Sequence, residues 1–318
     1  MRFCVMIEGQ EGVTWEQWLS LALACEEHGF EALFRSDHYY SVMDVRDRGS
    51  TDAWTLLAAL AARTERVRLG TLVSPVTFRH PTVLAKAATT VDHISGGRAE
   101  VGLGAGWWTE EHRTHGFPFP SDRDRMEMLA EQLEIVHGLF KEPVFSFEGR
   151  HYNLRDCPFA PKPVQEPHLP VIVGGKGGAG IARLAARWAD EYNTFFVLPD
   201  EARARYARVR DAVDAEGRDQ GTFVTSLMTG VVVGADRGEL IHRVERLMEI
   251  DPEDASSPDE YLAGLEAQGA VVGTPDQALE RLAAFEAAGV QRIMLQDLLV
   301  DDLEMLALLG SEVFPRAG

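Results

Sequence analysis

The sequence predicts an α/β fold in which eight strands alternate with helices and close into a (β/α)8 barrel. Short apolar runs rich in β-branched residues alternate with longer segments of helical periodicity throughout the 318 residues. Eight of these runs are strand candidates, which is the number that closes such a barrel. EEHGFEAL (26–33) and EAAGVQRI (286–293) also resemble each other, because each places a glycine where a helix ends and a strand begins.

The first unit illustrates how each element is recognised. RFCVMIE (2–8) is a strand candidate, Thr14 and Gln17 have the spacing of a capping box, and Gly29 ends the helix that follows. The seven further strand candidates, in order, are EALFRS (31–36), VRLGTLV (67–73), AEVGLGA (99–105), PVIVGG (170–175), EYNTFFVL (191–198), TSLMTGVVV (225–233) and RIMLQDL (292–298). Helical patterns lie between them at about 52–63, 80–94, 122–140, 178–188, 200–216, 237–249 and 275–288.

Two segments interrupt the alternation. Residues 141–169 contain five prolines and the hairpin-like stretch VFSFEGRHYNL (144–154), so we predict an insertion between barrel units. DPEDASSPDEY (251–261) is acidic and contains proline, which predicts a solvated or mobile loop. No interdomain linker is evident, and we expect a single domain over residues 1–318.

The composition limits the classes of partner. With 31 basic and 50 acidic residues, the formal net charge is −19 at pH 7, which disfavours nucleic acid and anionic membranes as partners. The start, MRFCVMIEGQ, has too short an apolar run for a secretory signal, and no uncharged run approaches the roughly 20 residues that cross a bilayer. We expect a cytoplasmic protein. The widely spaced Cys4, Cys25 and Cys157 suit neither a disulfide framework nor a thiolate metal site, and we expect no metal.

The second strand candidate ends in a titratable cluster. In a (β/α)8 barrel the active site forms at the carboxyl ends of the strands, and Asp37, His38, Tyr39 and Tyr40 follow such an end. His38 is a candidate general acid or base, because its ordinary pKa lies near neutrality. The alternative is a histidine that only caps a loop by hydrogen bonding. Its place at a strand end favours the catalytic interpretation.

A glycine-rich loop follows the fifth strand candidate. Gly175, Gly177 and Gly180 match Gly-x-Gly-x-x-Gly, and Asp200 lies 20 residues further on. A dinucleotide motif normally opens its domain, so this position at the fifth unit argues against that reading. Free N–H groups at a glycine-lined helix start still favour phosphate binding over a mere packing turn, and Lys176 adds a positive charge.

The fourth strand candidate leads into GWWTEEHRTHG. His112 and His115 lie three apart beside two glutamates, but no third metal ligand is indicated, so a loop or a helix start is the better interpretation. Trp107 and Trp108 either wall a pocket for a flat ring or pack under the insertion.

LAKAATTVDHISGGRAEVGLGAGWWTEEHRTHGFPFP (84–120) resembles the signature of the bacterial luciferase-like flavin and deazaflavin oxidoreductases. The resemblance includes SDH after the second strand, GTLVSPVTFRHP after the third, PVIVGGKGGAGIARLAARWADEYN at the fifth and VGTPDQALERLAAFEAAGVQRIML near the end. Within the family, the chain is most similar to the actinobacterial branch that uses coenzyme F420, a 5-deazaflavin.

The resemblance implies a role for each matching position. Asp37 would contact the deazaflavin, and His38 would donate or accept a proton beside its reactive carbon. A non-prolyl cis peptide at Leu72–Val73 would support the ring. The other implied contacts are Ala105 and Gly106 at the ring or its ribityl chain, Gly174, Gly175, Gly177 and Gly178 at the phosphate, and Arg79 and Lys176 at further anionic groups.

The implied activity is hydride transfer between C5 of coenzyme F420 and a small organic substrate. One alternative is a two-component monooxygenase that uses reduced FMN, oxygen and a partner flavin reductase; another is a non-catalytic flavin-binding protein. Barrels that bind sugar phosphates without flavin are disfavoured, because LQDLLVDD (295–302) offers acids where a phosphate loop would lie. Trp107 stands where the family's sugar-phosphate dehydrogenases carry a catalytic glutamate, so the substrate stays open. The family also implies a homodimer.

Overall fold

The computed structural model describes residues 1–251 and 255–317. Its strands, in chain order, are β1 (Arg2–Ile7), β2 (Ala32–Arg35), β3 (Arg68–Thr71), β4 (Ser74–Pro75), β5 (Ala99–Gly104), β6 (Val144–Glu148), β7 (Asn153–Pro158), β8 (Val171–Gly174), β9 (Glu191–Phe195), β10 (Val224–Val233), β11 (Val271–Gly273) and β12 (Arg292–Gln296). Eight of them pair in parallel in the order β1, β2, β3, β5, β8, β9, β10, β12. Pairing of β12 with β1 closes the barrel. All eight predicted strands and the predicted fold are confirmed.

Helices surround the barrel. They are α1 (Trp15–Glu27), α2 (Ala53–Ala61), α3 (Pro81–Ser95), α4 (Thr109–His115), α5 (Asp122–Lys141), α6 (Ala179–Trp188), α7 (Pro199–Ala215), α8 (Arg237–Ile250), α9 (Pro258–Ala267), α10 (Pro275–Ala287) and α11 (Leu303–Leu308), with short 3-10 or π turns at Gln220–Thr222, Leu309–Val313 and Phe314–Arg316. The predicted capping box is present at α1, where Thr14 Oγ1 accepts from Gln17 N–H (3.3 Å) and Gln17 Oε1 accepts from Thr14 N–H (2.9 Å). Thr274 and Gln277 repeat this box at α10.

Both interruptions of the alternation contain regular structure. The insertion between α5 and β8 holds the expected hairpin, in which β6 and β7 pair antiparallel. The loop prediction for 251–261 is wrong from Pro258 onward, where α9 begins, and its residues 252–254 lie outside the described residues. Ser257 caps α9, and Asp259 and Glu260 occupy the first turn, where acidic side chains interact favourably with the helix dipole. Asp259 and Glu260 therefore belong to the start of a helix rather than to a loop.

Apolar side chains fill the middle of the barrel, because alternate residues of each strand point inward. The central set consists of Cys4, Met6, Ala32, Phe34, Leu72, Ile172 and Met294. A larger apolar core lies between the strands and the surrounding helices.

A buried ion-pair cluster closes the barrel at the amino ends of its strands. Arg292, 2% exposed, bridges Glu100 (2.7 Å) and Glu191 (3.0 Å), and Arg68 also pairs with Glu100. Burial by itself would raise the pKa of Glu100, but Arg292 and Arg68 outweigh it and lower that pKa to about 2. Ion pairs therefore fill the barrel at the amino ends of its strands, and the carboxyl ends are available for a functional site.

Strand β10 extends beyond the barrel and pairs there with β11. Helices α8 and α9 pack on this extension and form a second, smaller apolar core: Val232, Leu240, Val244, Leu247, Tyr261, Leu262, Ala270, Val272 and Leu299. Across the two described ranges, none of the helices combines the length and apolar character needed to cross a membrane.

Candidate active site

The carboxyl ends of the barrel strands bring His38 and Glu111 together. His38 follows β2, Glu111 lies on α4, and His38 Nδ1 is 2.8 Å from Glu111 Oε2. The other oxygen, Glu111 Oε1, accepts from the backbone N–H groups of Tyr39 (2.6 Å) and Tyr40 (3.3 Å). Because a carboxylate only accepts, Nδ1 of His38 carries a proton. Among the described residues no partner is found for Nε2, so this is the ring atom that can exchange a proton with a ligand.

The same contact sets the protonation of His38. Burial by itself would lower the pKa of His38, but the hydrogen bond and the negative charge of Glu111 outweigh it and raise that pKa above its ordinary value. Glu111 is fully buried, so its charge is little screened. The imidazolium form of His38 is therefore stabilised around neutral pH.

Asp37 is held by neighbours from two other segments. It is 1% exposed, and its Oδ2 accepts from Ser74 Oγ (2.5 Å) and from Arg79 Nη1. Arg79 also pairs with Asp52 (2.6 Å) and donates to Tyr39 OH (2.9 Å). Burial would raise the pKa of Asp52, but Thr55 N–H and Arg79 lower it to about 2. Arg79, which was expected to face an anionic group of a ligand, has its charge balanced by two carboxylates of the protein.

The predicted non-prolyl cis peptide is present at Leu72–Val73, between β3 and β4. The side chain of Val73 lies against three glycines of β5 and β8. A Cβ atom added at Gly104, Gly102 or Gly174 would come within 2.6, 2.8 and 3.1 Å of a Val73 methyl group, respectively. The structure thus brings the end of β3 next to the start of the glycine loop.

Ala105 and Gly106 follow β5 directly. Gly106 has φ +79°, and an added Cβ would lie 3.3 Å from Thr77 Oγ1. His112 Nε2 accepts from the same hydroxyl (2.6 Å), while its Nδ1 donates to Trp108 O (2.6 Å). Burial lowers the pKa of His112, so the ring is neutral and both nitrogens are used internally. Of the loop and the helix start that the sequence left open here, the helix start is confirmed as α4.

The glycine loop leads into α6 without a side-chain cap. Gly178 is the N-cap residue, and a Cβ added there would meet no atom within 4 Å, so space is open in front of the helix. Gly177 has φ +71° and packs against Tyr192, whose hydroxyl donates to Gly175 O (2.7 Å).

Two cations border the glycine loop. Lys176 is exposed, and Arg208 donates from Nε to Gly177 O (3.1 Å). Arg208 lies on α7, and no spacing in the sequence linked it to the loop. Free helix N–H groups, open space and two cations together form an arrangement that suits an anion.

The two tryptophans pack beside His38 rather than under the insertion. The rings of Trp107 and Trp108 stack with centroids 5.4 Å apart, and the ring of His38 lies 5.9 Å from Trp107 and 6.2 Å from Trp108. Trp107 is 64% exposed. His38, the tryptophans and Glu111 therefore share one end of the barrel with the Val73 and glycine-loop segments.

A family model described as luciferase-like monooxygenase matches residues 1–292. The chain belongs to the luciferase-like monooxygenase family. The resemblance noted in the sequence is confirmed, and as a member of this family the protein is an oxidoreductase.

Relatives of this luciferase-like protein carry out different reactions. An F420-dependent glucose-6-phosphate dehydrogenase of Microbacterium testaceum (strain StLB037) is 30% identical over 315 residues, which span 94% of this chain and 92% of the relative. The monooxygenase RslO1 from Streptomyces bottropensis has a TM-score of 0.85 at 24% identity, with both chains fully covered. An F420-dependent secondary alcohol dehydrogenase in complex with an F420-acetone adduct has a TM-score of 0.82 at 18% identity, covering 100% of this chain and 99% of the other. These two structures establish only the fold of the luciferase-like chain.

Proposed function

We propose that this luciferase-like protein is a coenzyme F420-dependent oxidoreductase that acts on a small organic substrate by hydride transfer, with His38 moving the accompanying proton. The observation that carries the proposal is the Nε2 atom of His38 at the barrel mouth. It has no partner among the residues that the structure describes, and Nδ1 of the same ring is fixed by the buried Glu111. The F420-dependent relative that aligns with 94% of the chain supports the choice of cofactor.

The residues at the mouth fit a deazaflavin. The uncapped start of α6, the open space at Gly178 and the cations Lys176 and Arg208 suit the phosphate of its side chain. We infer that Gly174, Gly175 and Gly177 complete this phosphate site. The ring would lie against Leu72, Val73, Ala105 and Gly106, with Asp37 behind them. When bound, the deazaflavin supplies a carbon that gives or takes a hydride and disfavours oxygen chemistry.

His38 then acts on the oxygen of the substrate. In the reduction of a carbonyl compound, the imidazolium donates its Nε2 proton to the oxygen that becomes a hydroxyl. In the oxidation of an alcohol, the neutral ring accepts the hydroxyl proton at Nε2. Glu111 stabilises the positive charge on the ring in both directions and keeps the ring in one orientation, so it is a positioning residue.

A second candidate is a monooxygenase that uses reduced FMN. The name of the matching family model and the monooxygenase neighbour favour it, and the glycine loop would suit the FMN phosphate equally well. Because the glycine loop suits the phosphate of either cofactor, a direct comparison of their binding distinguishes the two candidates.

Parallel titration of the purified apoprotein with coenzyme F420 and with FMN tests the proposal. We expect the deazaflavin to bind at least about tenfold more tightly. A Gly178→Asp variant is the matched probe of the phosphate site, because aspartate is a favourable N-cap residue but repels an anion. It should keep its thermal unfolding temperature and lose most of its affinity for either cofactor. Micromolar FMN binding without deazaflavin binding would instead support the monooxygenase.

A further inference from the structure

We propose that the exposed face of Trp107 is a stacking surface for the substrate, and that the substrate is an uncharged, flat alcohol or carbonyl compound rather than a sugar phosphate. This inference rests on the proposed function and specifies its substrate class. It starts from the unusual exposure of a large apolar ring, 64% of which is accessible, beside the proton-exchanging histidine.

The exposed ring is held in place. Trp108 stacks on Trp107 with an interplanar angle of 19°, and His38 meets Trp107 edge to face at 82°. Tyr40 continues the aromatic surface, with its ring 5.8 Å from that of Trp108. A flat ligand placed on Trp107 would thus extend a stack that is already ordered, so little side-chain entropy would be lost on binding.

The arginines in the loops that follow β2 and β4, and the arginine on α4, are already paired with carboxylates. Arg79 is balanced by Asp37 and Asp52, and Arg48 pairs with Glu11 at 2.6 Å. Glu110 accepts from both Nε and Nη2 of Arg113 and also faces Arg46. Recognition of a phosphate dianion needs donors that are free to turn toward it, and these arginines are already opposed by carboxylates.

Carboxylates near His38 also disfavour a bound phosphate, because they repel its negative charge. Glu111 is buried beneath His38, and Glu8 lies close enough to raise the pKa of His38 further. The cations Lys176 and Arg208 lie at the glycine loop, where the proposed function places the phosphate of the cofactor. An uncharged substrate meets none of these electrostatic costs.

Ligand titrations by calorimetry test the inference, with 1-phenylethanol, 1-cyclohexylethanol and glucose 6-phosphate as probes. Each probe is titrated into the apoprotein and into its complex with reduced deazaflavin, which cannot oxidise an alcohol. We expect 1-phenylethanol to bind more tightly than its saturated counterpart and glucose 6-phosphate not to bind. Trp107→Ala should weaken 1-phenylethanol binding by up to about tenfold, the size of one lost aromatic pair.

Two variants serve as references. Trp107→Phe keeps a flat ring and should retain most of the affinity. Trp188→Phe alters a tryptophan at the far end of α6, which starts at the mouth, and should change nothing. Tighter binding of glucose 6-phosphate than of 1-phenylethanol, or equal 1-phenylethanol affinity in Trp107→Ala and wild type, would overturn the inference. If the deazaflavin does not bind, the proposed function fails, and the apoprotein titration still decides whether Trp107 binds a flat apolar ligand.

Discussion

Replacing Glu111 by glutamine should change which ring nitrogen of His38 carries the proton. In the wild-type protein one oxygen of Glu111 accepts from His38 Nδ1–H, and the other accepts from two backbone N–H groups. A glutamine has only one oxygen for these two tasks. If that oxygen keeps the two backbone donors, its amide donates to Nδ1, and the proton of the neutral ring moves to Nε2.

With His38 as the proposed proton donor or acceptor, we expect this exchange to impair catalysis in either direction. The imidazolium loses its buried counter-charge, and the neutral ring can no longer accept a proton at Nε2 without first changing tautomer. A hydrogen bond to a charged group contributes about 1.5–3 kcal/mol, so kcat/KM should fall by about 10- to 100-fold. Because Glu111 raises the pKa of His38, the variant also moves the His38 limb of the pH profile to lower pH.

Two measurements check this prediction. The first is the pH dependence of kcat/KM. In the proposed mechanism, carbonyl reduction needs the protonated His38 ring and is lost as pH rises through its pKa, whereas alcohol oxidation is gained there. Nitrogen NMR reports the tautomer directly. Glu110→Gln is the matched control, since Glu110 pairs with Arg113 at the surface of the same helix. An unshifted limb in Glu111→Gln, or a wild-type ring that already carries its proton on Nε2, would refute the reasoning.

Three further sets of substitutions test other parts of the structure. Gly177→Ala should lower the free energy of unfolding by about 1–2 kcal/mol, because φ is +71° and the new methyl group meets a tyrosine hydroxyl, whereas Gly178→Ala should not; chemical denaturation compares them. Arg79→Met should lower the free energy of unfolding by about 3–5 kcal/mol, because it leaves Asp37 buried without its cation. Adding Asp37→Asn should restore part of this loss of stability. Burial raises the pKa of Asp297 to about 7, so its contribution to stability is complete below about pH 4 and is lost as pH rises through 7; Asp297→Asn should therefore gain thermal stability over wild type as pH increases from 4 to 8.

Each of these three predictions has an outcome that would contradict it. Equal denaturation midpoints for the two glycine variants would mean that the loop tolerates a side chain at Gly177. A double variant at Asp37 and Arg79 no more stable than the single Arg79 variant would show that the buried charge is not the cause. A pH-independent difference between Asp297→Asn and wild type would argue that this carboxyl does not titrate near 7.

The strands of the barrel were predictable because their information is local. Each is a short apolar run followed by turn or capping residues, and burial of both faces makes the run nearly continuous. Strand β11 was missed because three residues are too few to form a pattern. Helix α9 was missed because acidic residues and proline occur both in solvated loops and in the first turn of a helix.

The site was predictable where a strand end coincides with a chemical side chain, as at His38 and the glycine loop. The contacts within the site between residues that lie far apart in the sequence could not be predicted. Glu110 and Glu111 are adjacent and identical in type, and only the packing of α4 decides which one reaches His38. Arg79 was expected to face a ligand because the carboxylates that balance it, 42 and 27 residues away, come from other elements.

The buried ion-pair cluster of Arg292, Glu100 and Glu191 restricts which single substitutions the barrel tolerates. Loss of Arg292 removes the cation that pairs with both carboxylates in the barrel interior, whereas joint replacement of the three side chains by apolar residues can be nearly neutral. A change of Arg292 alone therefore leads through an unstable intermediate, and we expect the three residues to be substituted together in related proteins. At the other end of the barrel, the buried pair of Asp37 and Arg79 imposes the same constraint, whereas the exposed Trp107 can be replaced by a single substitution without leaving a buried charge.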